Sequence, residues 1–205
     1  MKMKLYLSLT SPFARKVRIL VQELGLSDLV NEVLVDPYNA PEDFLDANPL
    51  SKVPVLVTEK GEKLPDSQLI AEYLLTRGRG LAPMPRGGQR WALLRRLQLA
   101  DGIMSAAVSS RREKLRPPEL LNQGWVDRKT AAMNRALDAL NAEAAELLHD
   151  GPVRMVEISL GCALGYLDFR HPQLQWRQDR ERLASWYFSF AQRPSMQSTQ
   201  PPAGA

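Results

Sequence analysis

The sequence predicts an α/β unit followed by an all-helical one. Three observations carry this reading. Strand-like and helix-like patterns alternate over residues 1–77, glycine and proline concentrate at residues 78–88, and beyond them every apolar pattern has the helical period. "KLYLSL" opens the chain as a strand. From Phe13 the apolar positions Val17, Leu20, Val21 and Leu24 recur at helical spacing until Gly25, a residue that stops helices because it accepts left-handed backbone. "LVNEVLVD" reads as a second strand, "PEDFLDA" as a short proline-started helix and "VPVLVT" as a third, β-branched strand. The turn "EKGE" leads into a short strand at "EKL", after which Asp66 or Ser67 caps the helix "SQLIAEYLLTR". The order is β-α-β-α-β-β-α, with the last two strands as a hairpin.

"GRGLAPMPRGG", residues 78–88, has the composition of a linker, so the expected domains are 1–77 and 89–197. In the second, "QRWALLRRLQLADGIMSAAVSSRREKL", "GWVDRKTAAMNRALDALNAEAAELL", "VEISLGCALGYLDFR" and "DRERLASWYFSFAQ" all read as helices. The ending "STQPPAGA", residues 198–205, has little apolar surface to bury and is expected to be a loose tail.

Composition narrows the function classes. The 205 residues suffice for one large domain or two small ones without covalent staples. The single cysteine, Cys162, lies in an apolar run, which leaves no disulfide framework, no CxxC pair and no thiolate metal site, and fits the cytoplasm. The N-terminus has too short an apolar region for a signal peptide, and no stretch approaches the roughly 20 apolar residues of a membrane span. A soluble protein without a membrane partner is therefore expected. The net charge of +4 is uneven, −2 over residues 1–77 and +6 over the remainder. The arginines of the basic half alternate with apolar residues at helical spacing, which reads as solvated helix faces rather than a nucleic-acid surface. A basic face beside a pocket would nonetheless favour anionic ligands.

Three local features admit both a structural and a chemical role. Ser11 before Pro12 is a standard helix start, and the same turn could present its hydroxyl to a ligand. Pro54 at the mouth of a strand marks a boundary, or else a cis Val53–Pro54 bond whose turn leaves the Val53 backbone open to an extended peptide. Asp66 and Ser67 open a helix as caps, yet the first turn also offers free N–H groups to a carboxylate, while Asp66 can accept from an ammonium. Together the last pair would suit an amino-acid head group.

"TSPFARKVRI", "NPLSKVPVL" and "LPDSQLIAEYL", in this order and followed by a helical domain with "ADGIM" and "GYLDFR", resemble the cytosolic glutathione S-transferases, in particular bacterial members with a Thr-Ser-Pro-Phe active-site turn. The resemblance implies a thioredoxin-like N-terminal domain, an all-α C-terminal domain and glutathione as co-substrate, without a metal. It implies that Ser11, with Thr10 as the alternative, touches the glutathione sulfur, that the Val53 backbone pairs with the cysteinyl unit across a cis Val53–Pro54 bond, and that Asp66 and Ser67 hold the γ-glutamyl end. Lys52 and Asn39 fall where polar contacts to the glycyl end are common. A pocket for a small electrophile would draw on Met104, Arg111, Arg112 and Tyr166. The family further implies a cytoplasmic homodimer and a role in detoxification, with peroxidase activity as a side reaction.

Two departures stand out. Serine replaces the cysteine of the disulfide-reducing members, which argues against chemistry through an enzyme mixed disulfide. The helix near Val156 lacks the usual Ser/Thr cap, with Arg154 and Glu157 at those positions, a loss of about 1 kcal/mol unless another group caps it. The rival reading is a regulator on the same fold, of the stringent-starvation type, that makes no use of glutathione. Neither His149 nor His171 has a partner at metal-ligand or triad spacing, which sets hydrolase and metalloenzyme readings aside.

Overall fold

The computed structural model describes residues 2–147 and 151–204, so His149 lies outside the described residues. These form two compact units. One runs up to Ala82 and takes back the chain from Pro194; the other spans Pro83 to Arg193.

The first unit is built on a mixed four-stranded sheet with the order β2-β1-β3-β4. The central strand β1 (Met3–Leu7) pairs parallel with β2 (Val30–Leu34) and antiparallel with β3 (Val55–Val57), which forms a hairpin with β4 (Lys63–Pro65). A parallel pair needs a crossover, and α1 (Pro12–Glu23) supplies it between β1 and β2. The short α2 (Glu42–Ala47) precedes β3, and α3 (Ser67–Leu75) follows β4 and packs on α1. Tyr6, Phe44, Ala47 and Val55 form a buried cluster below the strand ends, with the Tyr6 and Phe44 rings 5.8 Å apart and the Tyr6 hydroxyl donating to Asp43 at 2.8 Å. The expected thioredoxin-like order is thus present element by element.

The expected tail needs correcting. Residues 198–205 are not simply loose, and the helical domain ends before residue 197. The short helix α8 (Pro194–Ser198) returns to the α/β unit and lies on α1, with Ser195, Met196 and Thr199 buried. The buried Arg15 of α1 donates to the Met196 carbonyl at 2.9 Å, and the Ser195 hydroxyl donates to Glu23 at 2.5 Å. Polar anchoring of this kind has no hydrophobic periodicity to read. The start of the linker is also held. A Cβ on Gly78 would stand 2.6 Å from the Leu24 Cβ, and one on Gly80, where φ is +129°, 2.5 Å from the Glu23 carbonyl oxygen.

In the second unit α4 (Gly88–Lys114) packs on both α5 (Gln123–Ala142) and α6 (Met155–Arg170), and α7 (Glu181–Phe190) packs on α5. Every residue of α6 from Met155 to Leu167 is buried, which makes it the central helix of the unit. The pattern predicted one helix over residues 124–148, whereas α5 stops at Ala142 and a 3-10 turn follows over Ala144–Leu147. At the break, Glu143 is drawn to Arg95 and Arg96 of α4. The start of α6 is not left uncapped. Glu157 accepts from the Arg154 backbone N–H at 2.9 Å, and the Arg154 guanidinium bonds both Glu157 and the Glu146 carbonyl, so an ion pair stands in for the missing hydroxyl. No helix among the described residues is long and apolar enough to cross a membrane.

His171 ends α6, buried, with its Nε2 2.9 Å from the Ala107 carbonyl oxygen of α4. Nε2 must then carry the proton, because a carbonyl only accepts. Burial lowers the pKa of this ring, the bond to Ala107 opposes the shift, and Lys114 and Arg111 add to it. The unfolded chain therefore binds a proton that the folded one refuses. Stability should be full above about pH 6.5, the ordinary histidine value, and fall below it by up to about 1.4 kcal/mol per pH unit. Urea titrations between about pH 7.5 and pH 5 check this, and His171→Gln should flatten the slope; equal slopes in both proteins would refute it.

Candidate functional site

Strand direction gathers the predicted residues at one edge of the sheet. Tyr6 lies opposite Val55, and Val55 opposite Pro65, as one row across three strands. Beyond this row the chain leaves β1 toward Ser11, enters β3 from Val53 and leaves β4 toward Asp66. β1, β2 and β4 all run toward that edge, so α1 and α3 both start there, at the carboxyl ends of strands where ligands bind in open α/β sheets.

At the start of α1, Ser11 is the N-cap, with extended backbone (φ −80°, ψ 124°). Its Oγ accepts from the Ala14 N–H at 3.3 Å and donates to no described residue. The hydroxyl therefore serves as a cap and keeps its proton for another acceptor. Thr10 differs, because its hydroxyl lies 3.2 Å from that of Ser8 and shares a hydrogen bond with it. The positive end of the α1 dipole favours an anion beside Ser11.

The loop before β3 is pinned by Asn48, whose role no local sequence pattern announces. Its buried side chain donates to the Lys52 carbonyl at 2.6 Å and accepts from the Leu50 N–H at 3.1 Å, while its backbone carbonyl accepts from Ser51. Ser51 turns with φ +49°, and the Val53–Pro54 bond is cis, as expected. The Val53 N–H and C=O bond to no other described residue, and the exposed Lys52 ammonium forms no ion pair among the described residues.

At the start of α3 the chain must pass from strand to helix in one residue, since β4 ends at Pro65 and α3 begins at Ser67. Asp66 makes the turn with φ +77°, a backbone that costs a non-glycine residue about 1–3 kcal/mol and is typical of functional sites. One carboxylate oxygen caps the Gln68 N–H at 2.7 Å, and Asp66 as a whole is exposed. Ser67 is buried, and its hydroxyl bonds to no described residue. Gln68 buries its Oε1 without a partner among the described residues, while its amide nitrogen faces Glu72. Its signal in the sequence is its place directly after the Asp-Ser pair.

Asn39 is less available than predicted, because its side chain donates to Asp36 at 2.8 Å and its backbone N–H to the Asp36 carbonyl at 3.1 Å. In the helical unit, Met104 is fully buried in α4 and Tyr166 nearly so in α6, while Arg111 is half-buried and Arg112 exposed. The Tyr166 ring lies 6.3 Å from that of His171, where the end of α6 bonds to the Ala107 carbonyl of α4.

Family models described as "Glutathione S-transferase, N-terminal domain" and "Glutathione S-transferase, C-terminal domain" match residues 10–77 and 123–187. The chain is 39% identical over 203 residues to the uncharacterized GST-like protein YibF of Escherichia coli (strain K12), covering 98% of this chain and 99% of that one. It is similar to the crystal structure of a glutathione transferase family member from Pseudomonas fluorescens Pf-5 with bound glutathione, with TM-score 0.92, 42% identity and coverage of 98% and 100% of the two chains. A second such Pf-5 structure, with bound S-(propanoic acid)-glutathione, superposes with TM-score 0.86 and 43% identity over the same shares.

Asn48→Ala removes both side-chain bonds that pin the Lys52–Val53 loop, a loss of about 1–3 kcal/mol for two hydrogen bonds. Chemical denaturation should read this loss, and hydrogen exchange should quicken at the Leu50 amide. An unchanged Leu50 rate would show that the loop is held by other means.

Proposed function

As a member of the glutathione S-transferase family, the chain is one in which, we propose, glutathione is bound along the edge formed by Ser11, Val53 and Asp66 and its thiol is activated for attack on an electrophile. The observation that carries the proposal is the Ser11 hydroxyl, which accepts from the helix at Ala14 and retains a proton at the positive end of α1. Donating that proton as a hydrogen bond to sulfur stabilises the thiolate over the thiol and so raises the fraction of reactive species at neutral pH. The Val53 N–H and C=O would pair with the cysteinyl unit as an added strand. Asp66 would accept from the γ-glutamyl ammonium and the Ser67 hydroxyl donate to the adjacent carboxylate. Lys52 would meet the glycyl carboxylate, and Asn39, already engaged by Asp36, would contribute least.

The relative from Pseudomonas fluorescens supports this reading in two ways, since it binds glutathione and also a glutathione substituted on sulfur. In the reaction the thiol proton leaves to solvent, the thiolate forms a C–S bond to the electrophilic carbon, and either a leaving group departs with its electron pair or a conjugated double bond takes the electrons and a proton. We further propose that the protein works in the cytoplasm as a twofold homodimer, a state in which the opposite charges of its two halves, −2 and +6, would meet across subunits. Light scattering should return twice the chain mass at micromolar concentrations, and a monomer would refute the dimer.

Ser11→Ala should lower kcat/KM for glutathione conjugation about 10- to 100-fold, the worth of one hydrogen bond to a charged sulfur, while glutathione still binds. Steady-state assays with a general aryl halide electrophile and calorimetry with glutathione check both halves. Absence of binding at millimolar glutathione would overturn the enzyme reading and favour a regulator on this fold.

A further inference from the structure

The hairpin of α4 and α5 ends in a turn that the rest of the chain leaves uncovered. α4 is capped by Leu115, a 3-10 turn follows over Pro118–Leu120, and α5 starts at Gln123. Residues 114–120 are all exposed, a continuous run with no wall on either side, so the turn protrudes and offers no groove. Its apolar side chains stand in water, with Leu115 64%, Leu120 53% and Trp125 39% exposed. The indole is held in place. Its Nε1–H donates to the Ser109 hydroxyl of α4 at 3.2 Å, and the Lys129 ammonium lies 4.2 Å from the ring centre.

The charge around these side chains is of one sign. In the body of the helical unit arginines meet carboxylates, as in Arg96–Glu143, Arg177–Asp168 and Arg180–Asp138. At the tip the balance fails, because residues 111–129 carry six Lys and Arg against three Asp and Glu. Two of the three acids are engaged locally: Glu113 accepts from Arg116 at 3.0 Å and from the Asn122 N–H at 2.9 Å, and Asp127 accepts from Gln123 at 2.7 Å. Lys114 and Arg128 form no hydrogen bond or ion pair with a described residue. The dipole of α4 accounts for Lys114 at its C-terminus, but Arg128 and Lys129 stand near the positive end of α5, where a cation gains nothing.

We propose that this tip docks the protein on a membrane surface rich in anionic lipid. Leu115, Leu120 and Trp125 enter the boundary between headgroups and acyl chains, and Lys114, Arg116 and Arg128 lie at the level of the lipid phosphates. Apolar side chains that include an indole, ringed by surplus cations, gain there from both burial and charge. The protruding shape favours lipid over a protein, because a deformable layer accepts a protrusion whereas a protein partner needs a matching cavity. Docking of this kind needs no membrane-spanning helix, and none is present among the described residues. It stands independently of the glutathione chemistry.

The test is co-sedimentation of the full chain with vesicles of phosphatidylglycerol and phosphatidylcholine in equal parts, against vesicles of phosphatidylcholine alone. The chain should bind the anionic vesicles and not the neutral ones, and raising the salt from about 0.05 M to about 0.5 M should release it. Replacing both cations, Lys114→Gln with Arg128→Gln, should weaken binding about 10- to 30-fold, from about fivefold for each basic residue near the surface. Leu115→Ser with Leu120→Ser should weaken it about tenfold or more, and both double variants should keep the unfolding temperature of the parent. Acyl chains carrying bromine should quench tryptophan fluorescence in the parent and in Trp91→Phe, at the far end of α4, but not in Trp125→Phe. No binding to the anionic vesicles overturns the lipid surface and leaves a protein partner as the occupant. Equal binding to both vesicles, parental binding by either double variant, or quenching that survives Trp125→Phe overturns the docking tip.

Discussion

One constraint organises the α/β unit, the direction of its strands. Because β3 alone runs against its neighbours, β1 and β4 both point at the edge marked by the Tyr6–Val55–Pro65 row, and β3 starts there. Two helix N-termini and one strand entrance are thereby placed side by side, each with backbone groups that regular structure leaves unpaired. The chain fills part of that deficit with its own side chains, Ser11 for Ala14 and Asp66 for Gln68, and leaves Val53 open. What remains is a row of donors and acceptors suited to a short peptide with charged ends.

The same logic separates residues whose polar atoms are spent on holding the edge from residues that keep a donor or acceptor open. Asn48 spends its polar atoms on Lys52 and Leu50, and Asp43 takes the Tyr6 hydroxyl below the edge. Ser11, Ser67 and Asp66 each keep a donor or acceptor in reserve, and Asp66 does so in a backbone conformation with φ +77° that folding alone would select against. Ser11 and Asp66 thus cap their helices and still keep a polar group open, whereas Asn48 and Asp43 are engaged within the fold.

Much of this was legible in the sequence because periodicity and caps are local. The strand and helix order, the cap at Ser11, the Asp66–Ser67 helix start and the proline at the mouth of β3 are each written in a few consecutive residues. Features that depend on distant partners were not. The buried Arg15 finds the Met196 carbonyl across most of the chain, α5 is cut short beside the arginines of α4, and Arg154 replaces a cap hydroxyl by reaching Glu157 and Glu146. His171 illustrates the middle ground. Its place at the end of a helical pattern was readable, whereas its bond to the Ala107 carbonyl needed α6 to be laid against α4.

The central claim is that the start of α1 makes a thiolate of bound glutathione, and the thiolate absorbs in the ultraviolet where the thiol does not. A pH titration of that absorbance in the glutathione complex measures the sulfur pKa directly. The account predicts a value below that of free glutathione in the parent protein, moving back toward the free value in Ser11→Ala with glutathione still bound. A bound sulfur that titrates like free glutathione, or one whose pKa is unmoved by Ser11→Ala, would contradict it.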